Sequence, residues 1–465
     1  MSSVNRLAAT SRGRMPEPTR VLWFRRDLRL RDHPALMEAG ADGVRVVGLF
    51  VLDPRLLRGG APRVAYLLRT LAALKADVHA HGGVLVLRTG DPARVVPEVV
   101  AEAGAEAVHI SADFTPYGAA RDHRVEEALD VPLVRTGSPY AVAPGRITKD
   151  GGDPYQVFTP FFRAWRDHGW RAPASSDPGS VSWRRLPSDE LPDEPDHQAT
   201  LPDAGEAAAV VRWKEFCEND LAGYDDDRDR PDLDVTSRMS PHLKLGTVHP
   251  RTMLADLAHR RSAGADAYRR QLAWREFYGA VLHFWPGSAH GYLHDQLAAM
   301  EYATGAAAEK TFAAWQQGRT GFPIVDAGMR QLLAEGWMHN RVRMLVASFL
   351  VKDLHQEWTR GAAHFMDHLI DGDLANNQHG WQWVAGTGTD AAPYFRVFNP
   401  MLQGKKFDPD GAYVRRWVPE LRGLHGAAVH EPWDAEGGIP DGYPEPIVDH
   451  AAERREALAR YEAVR

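Results

Sequence analysis

A short stretch in the last quarter of the chain combines residue types that could handle electrons and protons. Residues 371–390 read DGDLANNQHGWQWVAGTGTD and hold carboxylates, amides, a histidine and two tryptophans close together. If residues 374–384 are helical, Asp373, Asn377 and Trp381 share one face, because they are four residues apart. Trp383 then lies about 200° around the helix from Trp381. The spacing therefore predicts one helix that faces two compartments.

A purely structural interpretation of the same stretch remains open on spacing alone. Trp381 and Trp383 would then be core aromatics, while Asp371 and Asp373 would cap the N-terminus of the helix.

Two further predicted helices each carry a face of aromatic, amide and arginine side chains. Such a face is costly to bury and poorly suited to open solvent. It suits a pocket that stacks a flat base while arginines hold the neighbouring phosphates. The residues at i, i+3, i+4 and i+7 are Gln271, Trp274, Arg275 and Tyr278 on one helix, and Trp337, Asn340, Arg341 and Met344 on the other.

Motifs of conventional acid–base or nucleophilic catalysis are missing from the sequence. It has no Ser-His-Asp or Cys-His signature, no H-E-x-x-H metal spacing and no P-loop. His364 and His368 stand four residues apart, which is more often a helix surface than a metal site, so no metal is predicted. The single cysteine, Cys217, is expected to be a helix thiol. This pattern is typical of a reaction in which a cofactor does the chemistry.

The bulk composition sets limits on the class of protein. A chain of 465 residues with 44% hydrophobic content should form at least two domains. One cysteine excludes an internal disulfide and fits a reducing cytoplasm. Without an apolar run of 18 residues, no membrane span is predicted. The net charge of −7 argues against indiscriminate nucleic-acid binding, but arginines cluster in the second half and predict one local basic surface.

Hydrophobic periodicity divides the chain into regions that must position these residues. Residues 1–19 are predicted to be a disordered leader. Residues 20–140 alternate short β-branched runs with helical spacing, which predicts a doubly wound parallel sheet of the α/β class. Residues 141–205 include a Pro-, Asp- and Ser-rich stretch that predicts an interdomain connection. Residues 206–465 are expected to be all α-helical.

The predicted elements of the sheet region are short and regularly spaced. No G-x-G-x-x-G follows the first strand, so an ordinary dinucleotide site is not supported there. The predicted strands are 21–24, 46–52, 84–87, 107–110 and 133–134, and the predicted helices between them are 63–81, 93–103 and 117–129.

Several segments together resemble the DNA photolyase/cryptochrome family, closest to its class I cyclobutane pyrimidine dimer photolyases. The resemblance implies an α/β antenna domain followed by an all-α flavin-binding domain. It also implies light-driven repair, in which excited reduced FAD donates an electron to a flipped-out dimer in ultraviolet-damaged DNA. The segments are 371–390, VLWFRRDLRLRDHPAL at 21–36, TSRMSP at 236–241, WREFY at 274–278, GWMHNRVRM at 336–344 and QGKKFD at 403–408.

The resemblance also implies roles for individual residues. Arg343 would pair with Asp371 beside the flavin ring, and Asn377 would sit at flavin N5. The implied FAD contacts are Tyr224, Thr236, Ser237, Arg238, Met239, Ser240, Arg343, Asp371, Gly372, Asp373 and Asn377. The implied DNA contacts are Arg228, Gln271, Trp274, Arg275, Asn340, Arg341, Met344, Trp383 and Gln403.

An electron relay to the flavin is implied by Trp381 and Trp358, which match the first two members of the family's chain. The third member is absent, since Gly305 stands near its place, and Tyr302 or another aromatic would substitute. Tyr117 and Gly118 are more similar to members that bind 8-hydroxy-5-deazaflavin as antenna chromophore than to folate binders. A monomer is expected.

Three alternatives remain open. A cryptochrome would signal on the same fold, but the long C-terminal extension that usually marks one is absent. A photolyase for the (6-4) photoproduct would carry a histidine pair where this chain has Asn340 and Arg341. A flavoprotein oxidoreductase is the third, although nothing indicates a nicotinamide site.

Overall fold

The computed structural model describes residues 17–391 and 393–464. The leader was predicted at residues 1–19, and residues 1–16 of it lie outside the described residues. Its last residue, Thr19, is the first residue of the first strand.

A five-stranded parallel sheet forms the first region. Its spatial order is β3-β2-β1-β4-β5, and every pairing is parallel. Nearly all strand side chains are buried, as expected for a parallel sheet covered on both faces. The predicted α/β class is therefore confirmed. The strands are β1 Thr19–Phe24, β2 Arg45–Leu52, β3 Leu85–Thr89, β4 Ala107–Ile110 and β5 Leu133–Arg135.

Helices pack on both faces of this sheet. Alternate residues of β1 enter two different cores: Leu22 and Phe24 pack on one face, and Val21 and Trp23 on the other. The helices are α1 Pro34–Ala39, α2 Ala61–Ala80, α3 Pro92–Ala103 and α4 Pro116–Ala128. Of these, α1 is too short for its periodicity to show in the sequence.

The region predicted as a connection contains a helix, α5, at Phe158–His168. Phe158, Phe161 and Trp165 recur at helical spacing and are buried in the helical core, so the sequence carried a signal for this helix that the prediction missed. Further along, the main chain runs beside the sheet, where the N–H of Val46 donates to the carbonyl of Ser182 at 2.8 Å. The connection is therefore a packed part of the molecule.

The rest of the chain is helical, which confirms the all-α prediction. Two hydrophobic cores organise it, one around α10 and one around α13 and α15. The sequence did not predict α16, α17 or α18. The helices are α6 Glu206–Asn219, α7 Tyr224–Asp227, α8 Ser240–Leu245, α9 Pro250–Leu257, α10 Ala263–Phe284, α11 Gly305–Gln316, α12 Pro323–Glu335, α13 Asn340–Lys352, α14 Trp358–His368, α15 Leu374–Ala385, α16 Pro400–Phe407, α17 Ala412–Trp417 and α18 His450–Ala463.

Buried ionic contacts join the sheet region to the helical region. Arg26 bonds to Asp373 at 2.5 Å, and Asp32 bonds to Arg251 at 2.8 Å. The carboxylate of Glu276, on α10, accepts from the main-chain N–H of Val142 at 3.0 Å. No helix among the described residues is long and apolar enough to cross a membrane.

Candidate functional site

Helix α15 occupies the centre of the site, and Asp373 begins it. The Asp373 carboxylate accepts from the N–H of Asn376 at 3.1 Å, which is an N-cap. Burial alone would raise the pKa of Asp373, but the charges of Arg26 and Lys244 outweigh it and hold the pKa well below its usual range. The interior at this end of α15 therefore contains an ionised carboxylate.

Asp371 joins three elements in front of α15. Its carboxylate accepts two bonds from Arg343 of α13, at 2.8 and 3.2 Å, and one from the hydroxyl of Ser240, at 2.6 Å. The ion pair expected between Arg343 and Asp371 is therefore present. Gly372 follows in a tight position, because a Cβ there would lie 3.0 Å from the carbonyl oxygen of Leu369.

The segment before α8 forms a polar loop. Arg212 holds it by donating to the carbonyls of Thr236 and Ser237, at 3.0 and 2.9 Å. The hydroxyl of Ser237 lies 2.8 Å from that of Tyr268. The hydroxyl oxygen of Thr236 is buried and has no hydrogen-bond partner in the described structure. The loop therefore presents an unsatisfied hydroxyl.

Other predicted cofactor residues have mainly packing contacts. The side chains of Tyr224 and Met239 are buried in the hydrophobic core around α10. Arg238 bonds to Glu335 at 3.0 Å, and its guanidinium lies 4.3 Å from the ring centroid of Trp337. For Met239, only the main chain remains to face a ligand.

Asn377 is held in one orientation. Its amide nitrogen donates to the carbonyl of Ala362 at 3.0 Å and to the side-chain oxygen of Gln378 at 2.8 Å. Because both amide hydrogens are used, the remaining function of this side chain is its carbonyl oxygen, a hydrogen-bond acceptor.

The residues around α8, α13 and α15 fit a flavin dinucleotide. Thr236 supplies an unbonded hydroxyl, and Arg343 keeps two N–H groups beyond the three that it donates to Met338 and Asp371. Such donors bind phosphate and ribose oxygens. Asn377 supplies a neutral acceptor on the helix between them. These residues would hold FAD.

The predicted DNA-binding face of α10 is an aromatic wall. Trp274 of α10 stacks on Phe158 of α5 with ring centroids 3.7 Å apart and planes 6° apart. One turn further along α10, Tyr278 stacks on His379 of α15 at 5.6 Å. Gln271 is half-buried on the same face of α10. These contacts hold Trp274 as a rigid surface beside α15.

The predicted DNA-binding face of α13 is a polar and basic wall. Arg341 bonds to Asp229 at 2.6 Å, next to Arg228, and lies 4.6 Å from the ring centroid of Phe407 on α16. Both Asn340 and Arg341 approach the sulfur of Met344, at 4.0 and 3.9 Å. Gln403 lies on α16 and is half-buried, as is Trp383 on α15. The structure thus clusters Arg228, Asn340, Arg341 and Met344, with α16 alongside.

Arg275, which was predicted to contact DNA, lies between the two regions of the chain. Its guanidinium is buried and donates to the main-chain carbonyls of Pro139 and Leu243, at 2.9 and 3.1 Å. It also lies 4.7 Å from the ring centroid of Tyr140. Arg275 therefore joins the two regions of the chain, with two of its five N–H groups bonded to main-chain carbonyls.

The tryptophans on α14 and α15 approach each other across a glycine. Trp381 packs so closely on Gly361 that a Cβ there would lie 2.1 Å from the indole ring. Gly361 lies one turn after Trp358, which is fully buried. Trp358 in turn meets the ring of Tyr292 edge to face, with centroids 6.0 Å apart. An aromatic path therefore runs from Trp358 to Tyr292, and Trp381 joins it through its contact with Gly361 of α14.

The path ends in a pair of tyrosines. The hydroxyl of Tyr292 lies 2.9 Å from the hydroxyl of Tyr302 and 3.1 Å from a carboxylate oxygen of Glu357. Tyr302 was expected from the sequence as a substitute. Neither Tyr292 nor Glu357 was, because the turn-rich segment around Tyr292 carries no periodic signal.

Neither the cysteine nor the histidine pair forms a catalytic centre. Burial raises the pKa of Cys217 to about 11, which disfavours its thiolate. His364 and His368 lie close together, but burial lowers the pKa of His364 to about 3. Within the described part of the chain, no group of three His, Cys, Asp or Glu side chains could hold a metal ion.

Comparisons with known proteins agree with this arrangement. The family model described as DNA photolyase matches residues 20–178, and the FAD binding domain of DNA photolyase matches residues 268–463. A deoxyribodipyrimidine photo-lyase of Streptomyces griseus is 44% identical, covering 96% of this chain and 98% of the relative. The chain belongs to the DNA photolyase family.

Solved structures show the same fold. A bacterial class III photolyase from Agrobacterium tumefaciens matches with a TM-score of 0.90 and 37% identity, covering 98% of this chain and 99% of the other. A cryptochrome from Synechocystis matches with a TM-score of 0.85 and 26% identity, covering 96% and 100%.

Proposed function

We propose that this chain repairs cyclobutane pyrimidine dimers in DNA, driven by light. The observation that carries the proposal is the placement of α15 between the polar FAD contacts and the aromatic wall of Trp274. When bound, reduced and excited FAD supplies the electron that splits the dimer. The family membership and the names of the curated relatives support this assignment.

The cofactor is held by residues on both sides of the Arg343–Asp371 pair. Ser240, Arg343 and Asp371 form a fixed polar cluster, while Thr236 offers its unsatisfied hydroxyl to a phosphate or ribose. The carbonyl oxygen of Asn377 would accept a hydrogen bond from a protonated flavin N5. This preference favours the reduced cofactor, because oxidised N5 has no hydrogen to donate.

The lesion enters between the two walls of the neighbouring pocket. Trp274 and Trp383 stack on the extruded bases, and Gln271 hydrogen-bonds to them through its amide. Arg228, Asn340, Arg341, Met344 and Gln403 contact the lesion and its flanking backbone. Phe395 lies five residues before α16 and Leu402 lies within it, and they are 60% and 61% exposed. We infer that they would enter the space that an extruded dinucleotide leaves in the duplex.

A second chromophore would bind at the carboxyl ends of the parallel strands. Lys244 reaches this region, and burial together with the charge of Arg26 lowers its pKa to about 8. Asp113, which follows β4, pairs with Arg26 at 3.7 Å. We favour 8-hydroxy-5-deazaflavin over a folate, because its acidic hydroxyl suits cationic neighbours and because of Tyr117 and Gly118. An absorption spectrum of the purified protein identifies the chromophore.

The deciding experiment uses reduced enzyme and oligonucleotides that each carry one defined lesion. Illumination should restore the cyclobutane dimer and leave the (6-4) photoproduct unchanged. Restoration of the (6-4) photoproduct alone would assign the other repair reaction. Binding without repair of either lesion would favour a signalling cryptochrome, the class of one of the matched structures.

A further inference from the structure

A basic groove lies on the far side of α10 from Gln271. It has a volume of about 750 Å³ and runs between the end of α5, the segment after it, α9 and the start of α10. Asp266 and Arg269 line it, and they lie about 140° and 160° around α10 from Gln271 at 100° per residue. The groove is therefore separate from the lesion pocket.

The charge of the groove is strongly positive although the whole chain carries −7. A single carboxylate, Asp266, is among the lining residues. A concave surface with one sign of charge raises the local concentration of counter-ions. The lining arginines are Arg166, Arg171, Arg251, Arg260, Arg261 and Arg269.

Several of these arginines have N–H donors that are not used in hydrogen bonds within the described structure. Arg166, Arg171 and Arg261 are exposed, and their guanidinium groups form no hydrogen bond or ion pair with another described residue. Arg260 donates to the carbonyl of Cys217 at 3.1 Å, and Arg269 donates to the carbonyl of Arg260 at 2.8 Å. The groove thus combines two positioned arginines with three unpaired ones.

The floor of the groove brings like charges together. Arg251 is buried and bonded to Asp32 at 2.8 Å. Burial lowers the pKa of Arg251, Asp32 opposes this effect, and the charge of Arg171 lowers it further. An anion bound between Arg171 and Arg251 would relieve this repulsion.

One wall of the groove is an aromatic platform. Trp170 is half-buried and stacks on Trp165, with ring centroids 4.5 Å apart and planes 29° apart. Trp165 is fixed in turn, because its indole N–H donates to Glu276 at 2.6 Å. Trp170 therefore presents a supported flat surface to the groove.

We propose that this groove binds a nucleotide unit, with the base stacked on Trp170 and the phosphate held by Arg171 and Arg261. Guanidinium groups suit phosphate geometry, and stacking on an aromatic side chain accepts any base. The volume lies within the usual range for small-ligand sites. The ligand is either a free nucleotide or one residue of a single strand. The proposal does not depend on which lesion the enzyme repairs.

The test measures anisotropy of a labelled undamaged oligothymidylate, in the dark, on the flavin-loaded full chain. All variants carry Arg341→Ala and Trp383→Ala, which weaken the lesion pocket. Adding Arg171→Ala with Arg261→Ala should weaken binding by about tenfold or more, and Trp170→Ala by at least about fivefold. Arg455→Ala is the matched control, because Arg455 is exposed on α18, which packs in the other helical core. It should change binding less than twofold.

Competition then separates the two sources of the nucleotide. Displacement by thymidine monophosphate at a concentration similar to that of the oligonucleotide identifies a free nucleotide as the ligand. Displacement by oligonucleotides alone identifies a strand. Unchanged binding in the double arginine variant would overturn the proposal. So would displacement by inorganic phosphate as effective as that by thymidine monophosphate, since the base would then contribute nothing.

Discussion

The hydroxyl of Tyr292 lies 2.9 Å from that of Tyr302, at the end of the aromatic path that starts at Trp381. Glu357 approaches the same hydroxyl at 3.1 Å and can take up a proton when the tyrosine is oxidised. The pair therefore has the composition of a terminal electron donor in which electron and proton leave together. The fully buried Trp358 contacts Tyr292 and so connects the tyrosine pair to the path.

Substitution along this path should suppress photoreduction of the oxidised flavin. We expect Trp381→Phe and Trp358→Phe to abolish most of it, and Tyr292→Phe to slow it by about tenfold or more. Repair by chemically reduced enzyme should persist in all three. The measurement is flavin absorbance during blue illumination with an external reductant. Tyr155→Phe is the control, because Tyr155 packs on Phe161 in the other helical core, around α10. Unchanged photoreduction in Trp381→Phe would contradict the path.

The Asp371 carboxylate should matter for both cofactor and fold. In Asp371→Asn, Arg343 and the hydroxyl of Ser240 would donate to a neutral amide oxygen in place of a negatively charged carboxylate. Hydrogen bonds to charged groups contribute about 1.5–3 kcal/mol each. We expect a loss of about 2 kcal/mol in the free energy of unfolding and faster release of FAD. Urea unfolding and flavin fluorescence measure these. Glu98→Gln, at an exposed ion pair with Arg94, should change neither.

Stability should fall as the pH is lowered from 7 to 5. Burial lowers the pKa of His242, His339 and His379 to about 4 and that of His364 to about 3. The unfolded chain, with a histidine pKa near 6.5, therefore binds more protons than the folded chain in this range. Each histidine contributes stability that is present above about pH 6.5 and is lost toward pH 4, with a slope of up to about 1.4 kcal/mol per pH unit.

One substitution isolates this histidine effect. His364→Gln should flatten the dependence of the urea midpoint on pH between 7 and 5. His123→Gln is the control, because His123 is 70% exposed on α4. If the two variants show the same slope as the wild type, burial of His364 does not determine it.

Spacing predicted the parts of the site that lie on one helix. Asp373, Asn377 and Trp381 follow α15 as expected, and the ion pair of Arg343 with Asp371 was expected from the family resemblance. The burial of Arg275 was not expected, because its carbonyl partners, Pro139 and Leu243, are 136 and 32 residues away in sequence. No local pattern contains such a contact. The same reason hid the pairing of Arg26 with Asp373, which spans 347 residues.

Residues 205–465 should not fold alone, although they contain the proposed FAD contacts. Separation from the sheet region would leave Asp373 without Arg26, Arg251 without Asp32 and Glu276 without Val142. Breaking a buried ion pair costs about 3–5 kcal/mol, and several would be broken together. Near-ultraviolet circular dichroism of the fragment should show no fixed tertiary structure, and co-expression with residues 1–204 should restore it. A folded fragment that retains FAD would show that these contacts are dispensable.

Gln271 is the residue that we propose holds the lesion by hydrogen bonding. It is half-buried on the face of α10 that carries Trp274, and no described residue uses its amide. A glutamine donates through its amide but supplies no acidic proton. Gln271→Glu should therefore remain active on cyclobutane dimers. Gln271→Leu should lose about tenfold or more in repair rate, because the dimer carbonyls would lack a donor in a dry pocket.

The repair rate of reduced enzyme under limiting light, at saturating damaged oligonucleotide, separates catalysis from binding. Gln331→Leu is unsuitable as a control, since the Gln331 side chain accepts from the buried hydroxyl of Tyr413 at 2.7 Å. Gln317→Leu, at the exposed end of α11, serves instead. Equal repair by wild type and Gln271→Leu would show that Trp274 and the basic wall hold the dimer without this amide. Loss of damaged-DNA affinity at an unchanged repair rate would assign Gln271 to recognition alone.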